Sequence, residues 1–135
     1  MNIREKYCIE CGEGWDELIK PLIECVERHN ENALEENKIE IVQIKEKFGG
    51  LRFYTHGKKL DELENLLEAA ENEAIHTCEI CGSKTDIGQT ADGWITTCCR
   101  KCVQNMANEQ KRKRRWYSHQ YKLVLDILPT DTKDG

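Results

Sequence analysis

A chain of 135 residues suffices for one domain, or for one small domain with a metal-stapled appendage. Its formal net charge of −5 argues against indiscriminate binding of polyanions. No stretch reaches the roughly 18 apolar residues of a membrane span, and the opening MNIREKYCIECGEGW holds no signal-like apolar run, so a soluble cytoplasmic protein is expected.

Taken in chain order, Cys8-x-x-Cys11 comes first. Eight cysteines in a cytoplasmic chain read as metal ligands and core thiols, because disulfides do not persist there. Residues 15–36 predict a helix, with Leu18, Ile19, Leu22, Cys25 and Val26 at helical spacing and Pro21 as a late start or a kink. Cys25 and His29 lie one turn apart on it. With Cys8 and Cys11 they form a second candidate metal set of CCCH type, against the simpler reading of Cys25 as core and His29 as the end of the apolar stripe.

Ile39–Phe48 and Leu51–Thr55 predict two antiparallel strands around a Gly49-Gly50 turn. In that register Phe48 pairs with Leu51, Lys47 with Arg52 and Lys45 with Tyr54. Alternation then sends Val42, Ile44, Phe48, Leu51 and Phe53 to the core, with Glu46 a misfit. Gln43, Lys45, Lys47, Arg52, Tyr54 and His56 form the other face. That face reads either as an anion-binding or nucleic-acid-binding surface, or as one neutralised by the chain's own acids. Residues 58–76 predict a second helix on the stripe Leu60, Leu63, Leu67, Ala70 and Ala74.

The segment CEICGSKTDIGQTADGWITTCCRKC, residues 78–102, carries the strongest chemistry. Cys78-x-x-Cys81-Gly has the form of a zinc knuckle, and Cys99-x-x-Cys102 repeats the spacing at a helix start. Cys98 ends the strand-like run Trp94–Cys98, after a turn at Ala91-Asp92-Gly93, and reads as a small buried hydrophobe. Pairing of Cys98 with Cys102 is the alternative. Knuckle, hairpin and two ligands at a helix start are the order of a treble-clef finger with a structural Zn2+. Residues 100–128 predict a third helix, with Val103, Met106, Ala107, Tyr117, Tyr121, Val124 and Leu128 in register and Pro129 as the stop.

Charge is unevenly placed. Residues 1–75 hold 18 acidic and 10 basic side chains, whereas residues 76–135 hold 7 and 10. The run Lys111, Arg112, Lys113, Arg114, Arg115 leads into Trp116, Tyr117 and Tyr121. On a helix, Tyr117 and Tyr121 would face the core and Trp116 would be free to stack on a base. The run then reads as a phosphate contact, as a face paired with the acidic second helix, or as a homodimer contact between acidic and basic halves.

CGEGW, QIKEKFGGLRFY and CEICG…DGWITTCCRKC together resemble a family of small zinc-binding proteins from bacteria and their phages and prophages, over about residues 8 to 103. The resemblance implies Thr97 and Cys98 at a Thr and an apolar position, and hence Cys99 as ligand. It also implies an accessory product of a mobile element, located in the host cytoplasm. It implies no activity and does not extend to the basic segment.

The expected class is α+β: helix, two-stranded hairpin, helix, then a four-cysteine treble-clef or ribbon-like finger leading into a C-terminal helix. Its expected divisions are an acidic domain at 1–76, the finger with its basic helix at 77–128, and a polar tail at 129–135. Three functions compete. One is a non-enzymatic module binding nucleic acid or a nucleoprotein through its basic patches. The second is a counter-defence inhibitor that binds a host protein through its acidic half. The third, a small nuclease-like enzyme, lacks a His-Asp-Glu cluster of suitable spacing.

Overall fold

The computed structural model describes residues 2–130 and is of the α+β class. A short helix α1 (Ile3–Lys6) and a two-residue strand β1 (Ile9–Glu10) precede the long helix α2 (Asp16–Asn32). Apolar residues at helical spacing bury Ile19, Leu22, Ile23, Cys25 and Val26 of α2. The helix continues through Pro21, which is solvent-exposed. It stops before the expected residue 36, and the Asn30 side chain ties the start of the next strand by accepting from the Ile39 N–H (2.9 Å) and donating to the Ile39 carbonyl (2.8 Å).

Strands β2 (Ile39–Lys47) and β3 (Gly50–Gly57) form an antiparallel hairpin, with β1 added parallel to β2. The expected register is corrected by one residue at the turn. Lys47 faces Gly50, Lys45 faces Arg52 and Gln43 faces Tyr54, so the turn residues are Phe48 and Gly49, both at positive φ (54° and 82°). Ile44, Leu51 and Phe53 are buried as the alternation predicts. Phe48 and Val42 are not core residues but 70% and 59% exposed. Phe48 sits at the turn, and a bulge between Ile41 and Gln43 turns Val42 outward. Helix α3 (Asp61–Ala74) packs on α2 and buries Leu63, Ala70 and Ala74, completing a first core around Trp15.

The second half holds β4 (Ile87–Thr90), β5 (Thr97–Cys99) and α4 (Arg100–Gln110). The predicted C-terminal helix to residue 128 ends early. Lys111 takes a left-handed conformation (φ 55°), and β6 (Arg114–Ser118) and β7 (Leu123–Ile127) follow as a second hairpin. Burial along β6 alternates strictly: Arg114, Trp116 and Ser118 in, Arg115 and Tyr117 out. The basic run is thus the entry to a strand in an antiparallel sheet of order β5-β4-β6-β7. This sheet and α4 enclose a second core of Cys78, Ile87, Cys98, Cys99, Cys102, Val103, Ala107, Trp116 and Ile127. Among the described residues no helix is long and apolar enough to cross a membrane. Of the expected polar tail, residues 131–135 lie outside the described residues.

Candidate metal centre and adjoining aromatic cleft

The knuckle turns because the Cys78 N–H donates to the Ser83 carbonyl (2.7 Å) and the Gly82 N–H to the Cys78 carbonyl (2.9 Å). Cys99 ends β5 and caps α4, and Cys102 lies in the first turn of that helix. Thiols from a loop and from a helix start thereby converge: the Sγ atoms of Cys78, Cys81, Cys99 and Cys102 all lie within 4.8 Å of one another. Cys81 and Cys99 Sγ are 3.7 Å apart. Metal–sulfur bonds of about 2.3 Å give a tetrahedron edge of about 3.8 Å, so the quartet has the size of a four-thiolate zinc site. The Cys81 backbone N–H also points at Cys78 Sγ (3.4 Å).

The electrostatics fit a cation. Burial pushes the Cys99 and Cys102 thiols up, so thiolates there need a positive partner. A hydrogen bond from the Ser83 backbone pulls the Cys81 thiol down. Cys98 stands apart, fully buried in the second core, its thiol pushed up to about 12 by burial and its carbonyl accepting the Trp116 indole N–H (3.1 Å).

The second candidate set does not assemble. Cys8 is exposed, and Cys25 is buried in the first core. Cys11 packs against that core, and its thiol is pushed up to about 12 by burial and the nearby Glu79 charge. His29 Nε2 meets the Asn37 carbonyl at 2.8 Å. Among the described residues the Cys78 quartet is the one cluster able to hold a metal.

The knuckle is also where the remote motifs meet. CGEGW packs on it: the Gly14 N–H donates to the Glu79 carbonyl (2.8 Å), the Gly12 N–H to the Glu79 carboxylate (2.9 Å), and the Trp15 indole N–H to the Thr77 carbonyl (2.9 Å). The hairpin tip docks beside it. Thr97 Oγ1 donates to the Gly49 carbonyl at 2.6 Å, and the Thr97 carbonyl accepts the Glu79 N–H at 2.9 Å. A Cβ on Gly49 would lie 2.7 Å from Gln89 Nε2 and 2.9 Å from Thr97 Oγ1, at a φ of 82°, so both space and backbone demand glycine.

Glu46, the misfit of the hairpin pattern, explains itself here. One carboxylate oxygen accepts the Gly49 N–H (2.9 Å) and the other the Trp94 indole N–H (3.0 Å). It thereby ties the hairpin tip to the loop between β4 and β5. Phe48 and Trp94 are 70% and 75% exposed and line one cleft of about 400 Å³ with Lys45, Glu46, Lys47, Gly93 and Ile95. Lys45 faces Arg52 across the strands, Lys47 reaches over the Phe48 ring, and Tyr54 is exposed beyond them. Sequence reasoning missed Trp94 and placed Phe48 in the core. The available signals were Phe-Gly, which can itself form the turn, and Glu46 on an apolar face.

The basic segment behaves differently from the expectation. Arg114 is buried and forks onto Asp92, its Nε and Nη2 donating at 2.8 and 3.0 Å, and the Arg115 N–H adds a third bond at 3.0 Å. Lys113 and Arg115 reach Asp126 at 3.7 and 3.8 Å. These partners, rather than the acidic α3, balance the run. Lys111 and Arg112 are exposed, and among the described residues neither they nor Lys45, Lys47 and Arg52 form an ion pair. Trp116 is fully buried and stacks on nothing outside, while Tyr117 and Tyr121 are the exposed aromatics, the reverse of the helical expectation. Compared with known proteins, the chain matches no family model, no curated protein and no solved structure.

Proposed function

We propose that the protein is a non-enzymatic, zinc-organised accessory module of a phage or other mobile element that binds nucleic acid or a nucleoprotein. One observation carries the reading. Two segments 46 residues apart, at Phe48 and Trp94, present exposed aromatic rings beside Lys45, Lys47 and Arg52, cations unmatched by carboxylates among the described residues. Aromatic rings interleaved with unpaired cations suit phosphate and base contact. Zinc, when bound by four thiolates in treble-clef order, has no open position and acts structurally. Its work is to hold the knuckle on which the hairpin tip and the Trp94 loop are assembled.

The test is binding of short RNA and DNA across a salt series. Each phosphate neutralised steepens the log–log slope by roughly 0.7 to 0.9. Replacing Lys45 and Lys47 with Gln is expected to flatten the slope and leave the fold intact. No binding by the wild type at low salt would overturn the reading. A second reading, inhibition of a host protein through the acidic half, draws on the exposed Glu24, Glu31, Glu64 and Glu68, which form no ion pair among the described residues. A nuclease-treated pulldown that still retains one host protein would favour it.

A further inference from the structure

We propose that the cleft between the hairpin tip and the β4–β5 loop takes one unpaired nucleobase, so that the protein binds single strands in preference to duplexes. The proposal rests on the nucleic-acid reading above and names the form of nucleic acid that the site accepts.

Four observations converge on the cleft. Phe48 and Trp94 are the two most exposed large apolar side chains among the described residues, and they line the same space. Its volume, about 400 Å³, falls among small-ligand sites, which span roughly 300–1,000 Å³. Exposed rings in isolation are common, but the two segments that carry these are held. Glu46 tethers both segments, the Thr90 hydroxyl donates to the Trp94 carbonyl (2.8 Å), and the Arg114–Asp92 pair fixes the loop two residues earlier. Segments that are already ordered lose little freedom when a base stacks on the rings they carry.

The third observation is backbone strain. Phe48 occupies a left-handed turn position (φ 54°) that a bulky side chain disfavours and that Asn or Gly would fill with less strain. The ring there is 70% exposed, so it contributes little packing in return. An unfavourable residue kept on the surface points to a use for its ring. The fourth is charge. Lys45 and Lys47 line the cleft, and the Lys47 ammonium lies 5.7 Å from the Phe48 centroid. The single carboxylate in the lining, Glu46, already accepts with both oxygens. A flat aromatic group attached to a phosphate matches this combination better than an apolar peptide side chain, which would leave the lysines unmatched. In a duplex each base is covered on both faces, so only an unstacked base can enter.

The test compares three probes of about ten nucleotides: oligothymidylate, its duplex with oligoadenylate, and an abasic strand of the same backbone. Trp15 and Trp116 are fully buried, so quenching of tryptophan fluorescence reports Trp94. The expected result is that oligothymidylate quenches and binds roughly ten- to hundredfold more tightly than the other two. Phe48→Asn is expected to abolish that preference while keeping its metal content and an equal or higher melting temperature, because Asn-Gly suits this turn. Phe48→Tyr should retain the preference. Equal binding of all three probes would overturn the base-cleft inference and leave the nucleic-acid reading standing. No binding of any probe at low salt would overturn both and leave the cleft to a protein partner.

Discussion

Asp92 accepts two hydrogen bonds from the Arg114 guanidinium and one from the Arg115 backbone, and these hold its carboxyl down at about 2, against 3.8 ordinarily. The folded chain therefore binds this proton more weakly than the unfolded chain does. The pair's contribution to stability is fully present above about pH 4 and drains away as pH falls towards 2. Asp92→Asn is expected to cost about 3 kcal/mol at neutral pH, because it leaves the buried Arg114 without its counter-charge. Thermal melts between pH 5 and 2 check the sign: the wild type should lose stability more steeply than the variant over that window. Parallel curves would mean that Asp92 is not the titrating group. The residue also shows why charge runs mislead, since the partner of Arg114 lies 22 positions away.

At the scale of elements, β5 and the start of α4 decide the metal chemistry. Consecutive residues in a strand point to opposite sides, so although both are buried in the second core, the junction brings the Cys99 thiol to Cys78 and Cys81 and leaves Cys98 out of the quartet. Cys99→Ser is expected to lose the zinc, and Cys98→Ser to keep it at some cost in core packing. Elemental analysis of the purified variants measures this directly, with one zinc per chain expected for the wild type. The opposite pattern would transfer the ligand role to Cys98. The β6–β7 hairpin carries a related lesson. Arg114, Trp116 and Ser118 alternate with Arg115 and Tyr117 at a period of two, yet five successive cations mask that period as polarity. Trp116 entered the core because its indole N–H finds the Cys98 carbonyl, which lets a polar-tipped ring be buried without a lost hydrogen bond.

Across the whole molecule, two apolar cores meet on one knuckle. The first centres on Trp15, α2, the β2–β3 hairpin and α3, and the second on the cysteines, α4 and Trp116. Gly14 is the tightest point of the seam: a Cβ there would lie 2.2 Å from the Cys78 carbonyl oxygen and 2.6 Å from the Gly82 nitrogen. Gly14→Ala must push the CGEGW segment off the knuckle. Overpacking of this kind costs about 1–3 kcal/mol, and here the loss should appear as uncoupling of the halves. Calorimetry is expected to show one transition in the wild type and a broadened or split one in the variant. A single, equally sharp transition at unchanged temperature would mean that the seam does not couple the cores.

The cysteine quartet was legible in the residues alone because its information is local: paired C-x-x-C spacings with a glycine after the knuckle point to a metal-binding cluster wherever the rest of the chain goes. The apolar stripes of α2 and α3 and the inward Ile44, Leu51 and Phe53 were legible for a similar reason, being periodic within single elements. The hairpin register was not, because two adjacent glycines offer two turns. The bonds from Glu46 and Thr97 to Gly49 select between them. Nor was the second candidate metal set refuted by spacing, since only packing separates Cys25, buried in the first core, from an exposed Cys8. The aromatic cleft belongs wholly to the tertiary structure: Phe48 and Trp94 become neighbours because the hairpin tip and the β4–β5 loop share one carboxylate, a relation that no local pattern encodes.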